Sequence, residues 1–305
     1  MAAAPRADPL AYFTPAQWDA LTRRSRWRGL WLVAHCWGVI GLAMWSGEQW
    51  PWLLPLMVMV VGTRQLGLFI LMHDAAHGLL HPQRRINDAV GSWLCSHSLP
   101  LYRPYHLSHH RHVQQDDDPD LGLSAPFPVS RASLRRKLLR DLLGQTFYKQ
   151  RVQPLWHALR NGRHASGQRL ELAQGTRFVI GNTIGFVSFA AFGAGWVWLA
   201  LWLLPMVCWL PLVTRIRNIA EHALIARNEA DPLRQARTTQ AGWVERALLA
   251  PYWVNYHAEH HLFTQVPCWN LPQAHALLRA QGVLGRMETQ PGYRRVLQLA
   301  STSAA

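Results

Sequence analysis

The sequence predicts an all-α membrane protein, with four transmembrane helices in two hairpins and a cytosolic helical cap that carries clustered histidines. Three observations lead there: four stretches almost free of charge, arginines on the outer flanks of those stretches, and histidine clusters where the apolar runs stop. The 305 residues are 50% hydrophobic and only 16% charged, which allows a sizeable apolar core.

Met1 to Trp18 holds Pro5, Pro9 and Pro15 and no apolar core, so no cleavable signal peptide is expected. Leu30–Trp45 and Trp52–Thr63 are nearly uncharged and are separated only by Ser46-Gly47-Glu48-Gln49-Trp50-Pro51, which reads as a transmembrane hairpin. Phe178–Phe192 and Trp196–Val213 form a second pair, joined by Gly193-Ala194-Gly195, a link short enough to force an antiparallel turn. The spans are placed at 30–50, 52–72, 178–193 and 196–213, with 73–177 and 214–305 on the cytosolic side of one domain covering 1–305.

Neither hairpin tip carries Lys or Arg. Arg23, Arg24, Arg26 and Arg28 precede the first span, and Arg215 and Arg217 follow the last, so both termini are expected in the cytoplasm. Trp27, Trp31, Trp50, Trp52, Trp196 and Trp198 stand near the predicted span ends, where an indole suits the headgroup layer. Arg64 is expected to mark the cytoplasmic boundary by snorkelling, with the helix continuing out of the lipid to His77. Ile86–Leu101 is too short and polar to span. Ser130–Arg169, rich in Arg and Leu, reads as amphipathic helices on the membrane surface, with a docking patch for an electron carrier as the rival.

The formal charge of +14 fits attraction to anionic lipid. Its dispersal around a multi-span chain argues against nucleic-acid binding. Cys36, Cys95, Cys208 and Cys268 show no close pairing pattern, which argues against a disulfide framework or zinc knuckle.

The chemistry lies in His73-Asp-Ala-Ala-His77, His106-Leu-Ser-His109-His110 and His257-Ala-Glu-His260-His261. A helix brings residues at i, i+3 and i+4 to one side, so each cluster reads as a helical chelate directed at one ion. With 16 His in the chain, one His-x-x-His-His is expected by chance roughly 0.04 times, so two are improbable. The clusters supply eight His, more than one zinc site uses, and two metal ions are the natural inference. Asn218 and His222 add a further i, i+4 pair after the last span. A non-enzymatic metal carrier would need polar ligands at the bilayer midplane, whereas these clusters sit beyond the span ends. The absence of Glu-x-x-His pairs argues against a soluble carboxylate di-iron bundle.

The boxes HDAAH, HLSHH and HAEHH, with NIAEH between the last two, resemble the membrane fatty acid desaturase and hydroxylase superfamily over roughly Leu30 to Leu278. The resemblance implies a cytosolic di-iron centre held by His73, His77, His106, His109, His110, His222, His257, His260 and His261, with Asn218 reaching one iron through water. It also implies use of O2 as co-substrate to oxidise an unactivated C–H bond of a lipid chain. The expected reaction is desaturation of a fatty acyl group, with hydroxylation or another oxidation of an alkyl chain or carotenoid as the alternative.

Asp74, Glu221, Glu259 and the run Asp116-Asp117-Asp118-Pro119-Asp120 are candidates to orient the ligands. His35 reads as a packed or hydrogen-bonded helix residue rather than a ligand, while His81, His97 and His112 read as surface or outer-shell groups. His157, His164 and His275 are expected to be unrelated to the metals. The first box has three intervening residues rather than the four typical of acyl-CoA desaturases, which favours an acyl-lipid or other substrate. No fused haem or iron–sulfur domain is evident, so electrons are expected from a separate ferredoxin or b-type cytochrome. The preponderance of Arg over Lys leans towards a bacterial inner membrane.

Overall fold

Residues 4–96, 98–124, 126–161 and 166–302 are described in the computed structural model, and His97 and His164 lie outside them. The order of the main helices is α1 (Pro15–Thr22), α2 (Arg28–Gln49), α3 (Leu54–Ala76), α4 (Arg84–Val90), α5 (Leu99–His112), α6 (Arg131–Leu142), α7 (Gln153–Asn161), α8 (Ser166–Ala191) and α9 (Leu204–His222). The C-terminal part is made of shorter pieces: β1 (Arg237–Thr239), α10 (Trp243–Leu248), α11 (His257–Leu262), α12 (Leu271–Ala280), β2 (Glu288–Gln290) and α13 (Tyr293–Leu299).

Among the described residues, three helical runs are long and apolar enough to cross a membrane: Arg28–Gln49, Pro51–Ala76 and Gly195–His222. The predicted span at 178–193 falls within α8. That helix is not among the three, because its first half carries Arg169, Glu171 and Arg177 and its uncharged part begins only at Phe178.

The contacts sort the chain into two compact units. The first comprises 35–66 and 135–213. In it Trp37 stacks on Trp202 with ring centroids 5.6 Å apart. Trp209 Nε1 donates to Thr63 Oγ1 at 3.0 Å, and Gln65 Nε2 donates to the Trp202 carbonyl at 2.8 Å. The donors of Trp209 and Gln65 are thus satisfied internally, as an apolar surrounding requires. The turn between α8 and the run from Gly195 is made at Gly193, with φ +76°. Arg64 is buried rather than snorkelling, because at this point α3 is still covered by its own unit. Of the six tryptophans expected at span ends, Trp27, Trp31, Trp50, Trp52 and Trp196 are exposed, whereas Trp198 is half-buried against Phe189 and Trp202.

The second unit comprises 1–34, 67–134 and 214–305. It contains every box histidine. Its N-terminal segment is fixed onto the chain after the third box: Phe13 and Trp18 meet Phe263 edge-on, and Asn270 Nδ2 donates to the Leu21 carbonyl at 2.8 Å. At Gly29 a Cβ would lie 2.1 Å from the Leu80 carbonyl oxygen, so only glycine lets α2 pass the loop that follows the first box. A two-stranded parallel pair, Arg237–Thr239 against Glu288–Gln290, braces the third box through Thr238, which bonds to Ala258 and Glu259.

Candidate metal centre

Each box is placed by a helix end. α3 delivers His73 on its last turn and His77 directly after it, α5 carries the second box on its last two turns, α9 ends at His222, and α11 is little more than the third box itself. Unusual backbone frames them. Gln114 just after α5, Leu224 and Asn228 after α9, and Tyr252 and Trp253 before α11 all have positive φ without being glycine. Such conformations persist only where surroundings hold them. Here Asn255 exchanges two hydrogen bonds with Thr239, and Gln114 Nε2 donates to the His222 carbonyl at 3.2 Å.

The nine histidines converge into two groups. His73, His77, His106, His110 and His260 form one, and His109, His222, His257 and His261 form the other, with ligating atoms in each within 4.8 Å of one another. The second and third boxes are therefore not chelates for one ion apiece, which corrects the sequence expectation. His106 and His110, at i and i+4, join the five-ring group while His109 turns to the other. In the third box the assignment inverts: His257 and His261 join the four-ring group and His260 the five-ring group. At about 100° per residue i and i+4 stand about 40° apart and i+3 about 60° and 100° from them, enough for one side of the helix to serve two neighbouring groups.

The ring atoms are arranged as ligands. His106 Nε2 lies 3.0 Å from His77 Nε2 and 2.9 Å from His110 Nε2, and His110 Nε2 lies 3.0 Å from His260 Nε2. A neutral imidazole has one N–H, so a single proton at each such atom cannot serve two neighbours well. Buried nitrogens of His73 and Nε2 of His261 have no hydrogen-bond partner. Burial, reinforced by neighbouring rings, holds His77, His106, His110, His257, His260 and His261 well below the ordinary imidazole value, so they present neutral lone pairs. Nine converging imidazoles, six of them buried, fit two borderline metal ions.

The carboxylates divide by role. Asp118 accepts from His109 Nδ1 at 2.7 Å and also from the backbone N–H groups of Gln114 and Asp120, so it locks both the ring and the loop. Among the run of aspartates it is this one that reaches a box histidine through a hydrogen bond. Asp74 lies 3.6 Å from His73 Nδ1 and accepts from the Cys268 backbone at 3.0 Å, joining the first box to the chain after the third. Glu221 forms an ion pair with Arg217 at 3.0 Å and stands 3.6 Å from His257 Nε2. Glu259, fully buried, accepts from Thr238 and lies 2.5 Å from His275 Nδ1. His275, expected to be unrelated to the site, is therefore one contact removed from the third box.

Sequence reading also missed Arg103. Its Nε and Nη2 donate to the carbonyls of Ala76 and Ala75, at the C-terminal end of α3, while its guanidinium pairs with Asp88. Burial pushes the Asp88 carboxyl up, but hydrogen bonds from Arg103, Arg84 and Asn87 overcome it and hold it at about 2. The available signal was position: Arg103 precedes His106 by one helical turn.

A cavity of about 30 Å³ touches both groups through His73, His106, His109, His222 and His257, and Tyr102, Asn218 and Glu221 complete its polar wall. It has room for about two waters. Arg217 donates to Asn218 Oδ1 at 3.0 Å, which aims the amide.

Residues 49–289 match the model of the family described as fatty acid desaturase. Among curated relatives, the chain is 24% identical to a dihydrorhizobitoxine desaturase of Bradyrhizobium elkanii, covering 80% of this chain and 70% of the relative. It is 27% identical to a beta-carotene ketolase of a Paracoccus species, covering 80% and 86%. It is 25% identical to the sn-1 acyl-lipid omega-3 desaturase (ferredoxin) of a Nostoc species, covering 73% and 67%. With three histidine boxes folded into one double cluster and a family match over most of its length, the chain is an oxidoreductase that belongs to the fatty acid desaturase family.

Proposed function

We propose that the nine box histidines hold two iron ions and that the chain oxidises an unactivated C–H bond of a lipid chain with O2, the reaction being desaturation of a fatty acyl group. The observation that carries this is the division of nine converging imidazoles into sets of five and four around a small cavity. Iron with dioxygen supplies the one-electron oxidising power that no side chain has. Overall, desaturation takes two hydrogens from the chain together with two electrons, two protons and one O2, and leaves two waters; insertion of one oxygen would leave an alcohol and one water.

The protein's own residues set the conditions. His73, His77, His106, His110 and His260 would hold one ion, and His109, His222, His257 and His261 the other, with Asn218 acting through a water. Asp118 fixes the tautomer of His109 and strengthens it as a donor. Arg217 orients Asn218 and balances Glu221. The walls around Ile70, Tyr102 and Val254 exclude bulk water from the reacting carbon.

A second substrate class, a carotenoid, is favoured by the ketolase relative, which is matched over 86% of its own length. Electrons would come from a separate ferredoxin or b-type cytochrome. We place the chain as one domain with four spans, the fourth being Phe178–Phe192 paired with the run after Gly193, both termini cytoplasmic, in a bacterial inner membrane.

The test is lipid mass spectrometry of cells with and without the protein. Loss of two mass units of hydrogen supports desaturation, and gain of oxygen the alternative. His110→Ala should abolish product and lower bound iron; full activity in that variant would defeat the proposal.

A further inference from the structure

The stretch Arg135–Arg160 takes no part in the histidine site. It runs through most of α6, a turn at Gly144, the turns Gln145–Phe147 and Tyr148–Val152, and α7. Its surface is unlike one made for water. Leu139, Leu142, Leu143, Tyr148, Trp156 and Leu159 are each between 42% and 68% exposed. Arg135, Arg136, Lys149, Arg151 and Arg160 are exposed beside them. The one acid of the stretch, Asp141, is buried and accepts from Thr146. The Arg160 guanidinium lies 5.9 Å above the Trp156 ring, so apolar and cationic groups interleave.

The turn reports depth. Gly144 has φ +74°, and a Cβ there would come within 2.6 Å of Val207 Cγ1. Val207 lies inside the uncharged run Trp196–Val213, six residues or about 9 Å along a helix from its charged end. The bend therefore meets the spanning helix within its apolar stretch, and the uncharged tip Leu142–Tyr148 is flanked by cations on both sides. An acidic electron carrier would suit the cations but not the exposed leucines at that level.

We infer that Arg135–Arg160 is a membrane-immersed bend that binds anionic phospholipid, its tip at Leu142, Leu143 and Tyr148 entering the acyl region while the flanking arginines and lysine hold headgroup phosphates. The inference rests on the reading of the chain as a membrane protein and adds to it a lipid class and a contact site.

The test uses the full chain in nanodiscs of phosphatidylcholine with a minority of phosphatidylglycerol. A photoreactive benzoylphenylalanine replaces Leu143 in one variant and Leu42, an exposed residue of α2, in another. Phospholipid adducts at Leu143, with phosphatidylglycerol enriched about fivefold over its share, are expected from cations near an anionic headgroup. Combining Arg135→Gln, Arg136→Gln, Lys149→Gln and Arg151→Gln should bring that enrichment close to one. Absence of lipid adducts at Leu143 while Leu42 is labelled would overturn the inference and leave the membrane reading intact. Labelling without preference for phosphatidylglycerol, or protection of Leu143 by an acidic electron carrier, would also overturn it. Absence at Leu42 as well would bring down the membrane reading itself.

Discussion

The two histidine groups differ in more than count. In the five-ring group the close contacts of His77, His106, His110 and His260 are with one another, and the nearest carboxylate, Asp74, is engaged by the Cys268 backbone. In the four-ring group His109 is hydrogen-bonded to Asp118, Glu221 stands 3.6 Å from His257, and Asn218 faces the same cavity. Both groups border the cavity, so what sets the second apart is its oxygen-bearing neighbours rather than its access. The difference teaches which group is held by carboxylate and amide partners, and it can be broken or sharpened by measurement.

The largest effect should separate the groups themselves. His261→Ala should strip its ion and abolish turnover, because only three rings remain. His77→Ala leaves four rings and should retain a substantial part of the bound metal while losing most activity. Metal per chain by mass spectrometry decides, and equal retention in the two variants would erase the distinction. Next in size is acidification. The six rings held neutral by burial cannot take up protons in the folded chain, whereas the unfolded chain does so below the ordinary value of about 6.5. Stability and metal retention present above pH 6.5 should therefore fall as pH drops, each ring adding up to about 1.4 kcal/mol per pH unit. Thermal melts between pH 7.5 and 5.5 should show a dependence steeper than one proton.

Asp118→Asn should act on the four-ring group alone, weakening its metal by roughly 10–100-fold, the range for partners of ligating histidines. A metal titration that resolves two sites would show it, and equal weakening of both would refute the assignment. His275→Leu strands Glu259 in the interior and should cost about 3 kcal/mol in a melt of the metal-free protein, the scale for breaking a buried pair. The smallest effect is expected at Arg84, whose exposed pair with Asp88 is worth less than about 1 kcal/mol. Arg103→Gln should cost clearly more, since Arg103 also holds two carbonyls at the end of α3.

Much of the site was legible before any coordinates. All nine histidines and Asn218 were picked out by spacing, order and resemblance, and all nine rings do converge. The partition was not legible, because spacing of i, i+3 and i+4 specifies a shared side of a helix and says nothing about whether one site or two lies beyond it. Arg103 and His275 were illegible for a related reason. Their partners, Asp88 at 15 residues and Glu259 at 16, are outside the range over which a helix brings side chains together.

The fold divides the same way. The apolar runs at 28–49, 51–76 and 195–222 were set by composition, since a long uncharged stretch has few alternatives to a helix out of water. Buried Arg64 and the depth of the bend at Gly144 were decided by packing. Local sequence determined which groups would be ligands, because imidazole chemistry and helical pitch are properties of residues and short segments. Tertiary structure decided which ring faces which ion and which carboxylate stands behind it, because those relations join segments as distant as His110 and His260, and only the closing of the chain on itself brings such atoms within 3.0 Å.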